Sequence, residues 1–256
     1  MSRSATVAGG TFSPGRTAGL LAVPALTLVL WVVLAWLLPY AVATPEDAIR
    51  AILHGIDRGW MTKELATTMT ATLISSVLST VLGVGFAILV ALNRFWGDVF
   101  EPVLVWLYSV PKIVLYPIVL MIFGLSLSAS VGFGVINSVL PVAFLVFGVI
   151  RRVPAVLLKV AQSFGLSRWA TFREVVVPLA APTIFTAARL AFCLSFLAVV
   201  VAEMLGSRQG LGQELFKAIA LNDIARIFGI AFVLSAIAVS INALFLIVQR
   251  LLFDRR

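Results

Sequence analysis

Long runs of apolar residues alternate with short polar segments along most of the chain. Six runs reach about the 20 residues that an α-helix needs to cross the roughly 30 Å hydrocarbon core of a bilayer. These runs cover about 18–43, 65–92, 101–124, 131–150, 179–203 and 227–249. The pattern predicts an all-α, polytopic membrane protein with about six transmembrane helices.

The first run could be mistaken for a signal peptide, because Ala41, Val42 and Ala43 resemble a cleavage site. Its apolar stretch of about 26 residues is much longer than the ~7–15 residues of a signal-peptide core. We therefore expect the run to remain as a membrane helix. The predicted organisation is a cytosolic N-terminal tail at 1–17, a transmembrane domain at 18–250 and a cytosolic C-terminal tail at 251–256.

The lysines and arginines between the runs indicate the orientation, because cytosolic loops of membrane proteins carry an excess of basic residues. With the N-terminus inside, eleven basic residues fall on the inner side: Arg3, Arg16, Arg94, Arg151, Arg152, Lys159, Arg168, Arg173, Arg250, Arg255 and Arg256. Six fall on the outer side: Arg50, Arg58, Lys63, Arg208, Lys217 and Arg226. We therefore expect both termini in the cytosol.

The composition excludes an ordinary soluble domain. Hydrophobic residues make up 61% of the chain and charged residues 12%, and the mean hydropathy is +1.11. The net charge of +8 is explained by membrane topology, so we expect no nucleic-acid partner. One cysteine, Cys193, and one histidine, His54, are too few for a disulfide framework or a Cys/His metal site.

The residues also argue against catalysis by this chain. Lys63, Lys112, Lys159 and Lys217 follow Thr, Pro, Leu and Phe, so the Gly-Lys-Ser/Thr of a phosphate-binding loop is absent. The histidine lies in an outer loop and no aspartate lies within a run, which leaves no Ser/His or paired-Asp site for an intramembrane hydrolase. For the proton relay of an ion-coupled carrier only Glu203, at the outer end of the fifth run, is available. A secondary, ion-coupled transporter or a channel subunit is the alternative function.

Two patterns concern packing. Residues 44–64 include the stretch from Ala48 to Leu53, which predicts a short amphipathic helix on the outer surface. Small side chains let helices approach closely in a membrane, and in the second run they recur every four positions: Thr67, Ala71, Ser75, Ser79, Gly83, Ala87 and Ala91. This stripe marks either a moving or paired subunit interface or static packing within the chain.

The segment 151–178 is the only sizeable inner loop between runs, so a cytosolic partner must find most of its contacts there. Pro154 suits the start of a helix. Leu157, Ala161 and Phe164 follow spacings of four and three, which place them on one helical face. The first half of the loop is therefore predicted to be a short helix.

Gly165 stands where a helix commonly ends in a left-handed turn, and a second short helix is expected to follow it. Ser167 is expected to cap that second helix. Arg168, Trp169 and Phe172 are expected to form a basic and aromatic surface on it, and Pro178 begins the next run. This helix-turn-helix is either a docking element or an amphipathic segment that rests on the bilayer surface.

The loop resembles a known family. Ala161, Gly165 and the Val-x-Val-Pro sequence that ends at Pro178 are similar to the Glu-Ala-Ala, Gly and Ile-x-Leu-Pro loop of permease subunits of binding-protein-dependent bacterial ABC importers. The resemblance covers about 18–250, and three further stretches resemble the nitrate, sulfonate and taurine branch: Ala202-Glu203-Met204-Leu205-Gly206 with Gly210-Leu211-Gly212, Arg189-Leu190-Ala191, and Pro111 with Pro117.

The resemblance implies a permease subunit in the bacterial inner membrane that forms the path for a small solute, such as a sulfonate, a nitrate or a related organic compound. It implies a second permease subunit, identical or related, two ATPase subunits and an extracytoplasmic solute-binding protein. ATP and magnesium would bind to the ATPase, and this chain would hold no cofactor. The loop would dock in a cleft of the ATPase as a coupling helix through Ala161, Gly165, Ser167, Arg168, Trp169, Phe172 and Pro178.

Lys159 stands where the family usually has Glu. A reversed charge at this position removes a generic salt bridge to the ATPase, so we expect this permease to be selective about its ATPase. The small residues Ala161 and Gly165 still allow the tight helix-turn-helix.

Lys112 and Arg189 lie inside runs at similar depths, where a basic residue costs at least ~2.5 kcal/mol and usually faces protein or a water-filled cavity. Lys112, beside Pro111, either lines the translocation path or has a structural role. Arg189 is expected to bind backbone carbonyls of a kinked helix. Lys112, Pro111 and Arg189 are the candidate residues of the translocation path. Glu203 lies ~21 Å beyond Arg189 along the helix, too far to neutralise it, and is a candidate for the outer gate.

Overall fold

The computed structural model describes residues 14–91 and 93–253, which contain no strand. These residues form eleven α-helices: α1 (Pro14–Leu37), α2 (Pro45–Asp57), α3 (Trp60–Ala91), α4 (Arg94–Ser109), α5 (Tyr116–Phe123), α6 (Leu127–Arg151), α7 (Ala155–Ser163), α8 (Arg168–Thr171), α9 (Val177–Gly206), α10 (Leu211–Ala220) and α11 (Ile224–Phe253). A 3₁₀ turn at Lys112–Leu115 precedes α5, and a π-helical turn at Phe172–Val176 joins α8 to α9. The predicted all-α fold is confirmed.

Of the six predicted runs, four are continuous helices of spanning length in the described residues, and the bent third run would make a fifth span. α3, α6, the continuous helix Arg168–Gly206 and α11 are each long and apolar enough to cross a membrane. α1 ends at Leu37 rather than at 43, because the residue before Pro39 disfavours helical backbone. The predicted tails at 1–17 and 251–256 fall partly outside the described residues, and their described parts are helical.

The third predicted run, at 101–124, is a broken helix rather than a continuous one. α4 and α5 meet at a bend of 84°. Val110 is extended, with φ of −69° and ψ of 127°, because it precedes Pro111, which also donates no backbone hydrogen bond. Pro117 is tolerated because it lies in the first turn of α5.

α3, α6 and α9 pack against one another as the core. Ser138 Oγ lies 2.6 Å from Ser79 Oγ and 2.9 Å from Ser195 Oγ, so hydroxyl hydrogen bonds join all three helices. A Cβ added to Gly83 would lie 2.7 Å from Val142 Cγ1 on α6. Packing within the chain is therefore the correct alternative for the stripe, whose buried members here are Ala71, Ser75, Ser79, Gly83 and Ala87.

We name the end of the bundle where α3 and α6 finish the inner end, because the charge pattern predicts it to be cytosolic, and the opposite end the outer end. α2, the helix predicted within 44–64, lies at the outer end against α11. Thr44 caps α2 by accepting a hydrogen bond from Asp47 N–H at 3.2 Å. α1 is held nearby because Trp31 Nε1 donates to Ala43 O at 2.9 Å.

Candidate functional site

α7 and α8 form a helical hairpin at the inner end. Gly165 has a φ of +72°, its N–H donates to Gln162 O at 2.9 Å, and Leu166 N–H donates to Ala161 O at 3.1 Å. This pair of bonds satisfies two carbonyls at the end of α7. Ser167 Oγ accepts from Ala170 N–H at 3.2 Å and so caps α8. The predicted turn and cap are both confirmed.

The hairpin has a buried side and an exposed apolar side. Ala161 and Phe172 are buried. Phe172 lines a groove of about 320 Å³ together with Ala91 and Ile150 from the inner ends of α3 and α6. Five apolar side chains of the hairpin are exposed, and we name them the hairpin face: Val156, Leu157, Val160, Phe164 and Trp169.

One detail of the predicted surface is wrong, the exposure of Phe172. Of the three residues predicted to share a face at α7, Ala161 is buried, whereas Leu157 is exposed and Phe164 is 81% exposed, so this face lies at the boundary between the buried and the exposed side. Phe172 does not contribute to an exposed aromatic surface. Its ring is buried and stacks on that of Trp169, which is 68% exposed, with 5.7 Å between the centroids. The buried Phe172 ring thus packs against the inner side of the exposed Trp169 ring.

The π-helical turn before α9 accommodates Pro178. A proline has no N–H and its ring clashes with the carbonyl four residues earlier. Here Val177 N–H donates to Phe172 O, five residues earlier, so the backbone hydrogen bonds change from the α-helical to the wider π-helical spacing. This change comes directly before Pro178, which lies in the first turn of α9. α8 therefore continues into the spanning helix, and the hairpin is attached directly to it.

The predicted path residues lie on two helices. Lys112 opens the 3₁₀ turn at the bend, next to the exposed Pro111, and is half-buried. Arg189 is half-buried in α9 and makes no hydrogen bond within the part of the chain that the structure describes, so its expected role in binding frayed carbonyls is wrong there. The outer half of the broken helix is held to α9 because Tyr116 Oη donates to Ala202 O at 2.5 Å.

A cluster of buried polar groups lies at the outer end, where Glu203 is only 1% exposed. Glu203 Oε2 accepts from Thr68 Oγ1 at 2.8 Å and from Gly212 N–H at 2.9 Å. The buried Glu64 Oε2 accepts from Gly210 N–H at 2.5 Å, and Thr68 Oγ1 accepts from Leu211 N–H at 2.8 Å. We name these three side chains and the 210–212 backbone the outer cluster.

The outer cluster fixes the beginning of α10 to α3 and α9. Three consecutive N–H groups at a helix N-terminus have no partner inside their own helix, and the positive end of the helix dipole favours carboxylates there. The side chains of Glu64, Thr68 and Glu203 satisfy all three. Breaking these bonds would free the segment that follows α9 to move away from the bundle.

Two glycines allow this close approach. Gly210 has a φ of +103°, and a Cβ there would overlap the carboxyl group of Glu203. A Cβ on Gly212 would lie 2.7 Å from Glu203 Cβ and overlap Val200 O. Only glycine at both positions lets the backbone N–H groups reach the carboxylates.

Sequence reasoning identified Glu203 and the Gly210-Leu211-Gly212 stretch but missed Glu64 and Thr68. Neither residue received a role from the sequence. The signal that could have found them is their spacing of four, which puts both on one face of α3 where the second run begins.

Taken together, these features define a multi-pass α-helical membrane protein with a helical hairpin at the inner end. The model of the family described as "Binding-protein-dependent transport system inner membrane component" matches residues 79–256. The chain belongs to this family of inner-membrane permease components.

Two relatives illustrate the range of the family. The glycine betaine/carnitine transport permease GbuB of Listeria monocytogenes is 30% identical over 68% of this chain and 62% of its own length. The nitrate import permease NrtB of Leptolyngbya laminosa is 28% identical over 62% of this chain and 56% of its own length. The chain thus spans about six tenths of these relatives, and the resemblance to the nitrate branch is confirmed.

The fold has a solved counterpart. This chain is similar in fold to a chain of the methionine ABC transporter MetNI in an inward-facing conformation. The superposition covers 72% of this chain and 90% of the MetNI chain, with a TM-score of 0.61 and 18% sequence identity. At this level of identity the likeness establishes the fold alone.

Proposed function

We propose that the chain is the permease subunit of an ABC importer in a bacterial inner membrane, with both termini in the cytosol. With a second permease subunit, identical or related, it forms the translocation path for a small solute such as a nitrate, a sulfonate or a related organic compound. Two ATPase subunits bind ATP and magnesium on the cytosolic side, and a solute-binding protein delivers the solute outside. This chain itself is not catalytic and needs no cofactor.

The observation that carries the proposal is the hairpin face. Several exposed apolar side chains on one hairpin, at the end of the bundle predicted to be cytosolic, are typical of a protein interface. Phe164 and Trp169 are the large aromatic anchors that such interfaces favour, and Arg168 lies between them in the sequence. Because α8 continues into α9, a force applied to the hairpin by the ATPase reaches a spanning helix directly.

The proposed coupling residues have different tasks. Ala161, Gly165, Ser167 and Pro178 shape the hairpin and its connection to α9. Arg168 and Trp169 contact the ATPase, and Phe172 supports Trp169. The exposed Lys159, on the hairpin-face helix α7, selects among ATPases by its charge.

The path residues remain part of the proposal. Lys112 at the bend, beside Pro111, offers a positive site to an anionic solute, and Arg189 lines the same path from α9. A basic side chain on a broken helix suits a water-filled path, because irregular backbone at membrane depth is tolerated only next to protein or water. Glu203 forms the outer gate through the outer cluster.

Substitution of Gly165 tests the coupling role, and Gly59 provides a matched control. Both glycines have a φ of +72°, and a Cβ at either would meet no atom within 4 Å. The left-handed backbone therefore costs any L-residue the same ~1–2 kcal/mol at both sites. Gly165→Leu adds bulk only to the surface offered to the ATPase, whereas Gly59→Leu adds it at the outer end.

We expect Gly165→Leu to abolish copurification of the ATPase and transport-linked ATP hydrolysis while the permease stays at normal abundance in the membrane. Gly165→Ala, with the same backbone strain but little bulk, should lose less than Gly165→Leu. Gly59→Leu should retain the ATPase. Association of the ATPase with Gly165→Leu at the wild-type level would contradict the proposal and would leave the hairpin as a segment resting on the bilayer surface.

A further inference from the structure

α2 carries an apolar stripe that the rest of the described chain does not cover. Ile49, Leu53 and Ile56 are exposed and lie on one face of the helix. The neighbouring face packs on α11, where Gly229 lets the backbone of Ala48 approach so closely that an added Cβ would lie 3.0 Å from Ala48 O. α2 is therefore fixed by one face and leaves a second apolar face open.

An apolar groove of about 520 Å³ continues from α2 along α3 and α11. Its α11 wall runs from Phe232 to Ile241, which at 1.5 Å per residue is ~13.5 Å. One leaflet of a bilayer with a roughly 30 Å hydrocarbon core is about as deep. The groove is lined mainly by Ile52, Leu65, Met69, Val233, Ile237 and Ile241.

We propose that this groove binds an acyl chain of an outer-leaflet phospholipid and that the Ile49, Leu53 and Ile56 stripe lies in the same leaflet. Ile52 joins the two features, because it belongs to α2 and lines the outer end of the groove. The site is thus a lipid-binding site at the outer end, and α2 is a helix of the membrane interface.

The charges of α2 agree with this placement. Its polar residues lie on the side of the helix opposite the face that packs on α11, and Glu46 there forms an exposed ion pair with Arg50 at 2.5 Å. Three acidic residues against two arginines in 45–58 give no positive surplus for anionic headgroups. Apolar contact with the acyl chain therefore carries the binding.

Spin labels on cysteines test the proposal in the full chain, purified with its bound subunits and reconstituted in phosphatidylcholine vesicles. Cys193→Ala provides the background, and the labelled sites are Leu53→Cys on the stripe, Ala236→Cys in the groove and His54→Cys on the polar face as the control. Oxygen concentrates in lipid and a nickel chelate stays in water, so the two relaxants separate lipid from water and from buried protein.

We expect the labels at Ala236 and Leu53 to respond more to oxygen than to nickel, with the Ala236 label deeper, and the label at His54 to respond more to nickel. A nickel response at Ala236 would mean a water-lined groove, and no response to either relaxant would mean that a second protein subunit covers it. Either result would overturn the lipid site. The experiment does not depend on ATPase coupling, so its failure leaves the proposed function standing.

Discussion

Replacing Thr68 with valine should release the start of α10 from α3. Thr68 Oγ1 accepts from Leu211 N–H and donates to Glu203 Oε2, both at 2.8 Å. Valine has nearly the same shape but no hydroxyl, so the fully buried Leu211 loses the acceptor for its N–H. A buried unpaired donor costs ~1–3 kcal/mol, which is about 5- to 150-fold in the equilibrium for local opening.

Thr72→Val is the matched control. Thr72 is equally buried one turn further along α3, but its hydroxyl donates only to Thr68 O within the same helix, at 2.8 Å. Hydrogen exchange of the 207–220 segment, followed by mass spectrometry, measures the opening directly. We expect exchange at Leu211 and Gly212 to accelerate about 5- to 150-fold in Thr68→Val and to change little in Thr72→Val. Equal exchange in both variants would refute the role of the outer cluster.

Three further outcomes are expected. In a cysteine-free background, an impermeant thiol reagent added outside should label Gln213→Cys but not Trp169→Cys, and the opposite pattern would reverse the proposed topology. Lys112→Gln should lower the transport rate or the apparent affinity for the solute while the complex assembles normally. Unchanged transport would exclude Lys112 from the path, and lost assembly would assign it a structural role. Gly83→Ala should lower the Tm, because its methyl group would be 2.7 Å from a valine on α6 and overpacking costs ~1–3 kcal/mol. Gly85→Ala should not lower the Tm, because a methyl group there would meet no atom within 4 Å. Equal Tm shifts in the two variants would contradict the packing of the stripe.

Features set by local sequence were predictable. The spanning helices follow from hydrophobicity, because a bilayer forces the backbone to satisfy its own hydrogen bonds. The turn at Gly165 and the cap at Ser167 follow from residues within five positions of each other. The stripe on α3 predicted close packing, although the sequence alone did not decide between packing within the chain and packing between subunits.

Features set by distant contacts were not predictable. The bend at Pro111 is a separate case, because the proline sets it locally, but a proline leaves the hydrophobicity of the run unchanged and the run was therefore counted as one span. Glu64 lies 146 positions from Gly210 and meets it only because α3 and α9 pack side by side. The burial of Phe172 depends in the same way on the groove at the inner ends of α3 and α6.

The most direct test of the central claim is site-specific crosslinking from the hairpin face in living cells. A photocrosslinking amino acid in place of Phe164 should capture a protein that carries the Gly-Lys-Ser/Thr phosphate-binding loop of an ATPase, identified by mass spectrometry. The same amino acid in place of Tyr40, which is 93% exposed at the outer end, should not capture that protein. Crosslinking of Phe164 to lipid alone, or of both positions to the same ATPase, would contradict the assignment of the hairpin as the site that couples this permease to its ATPase.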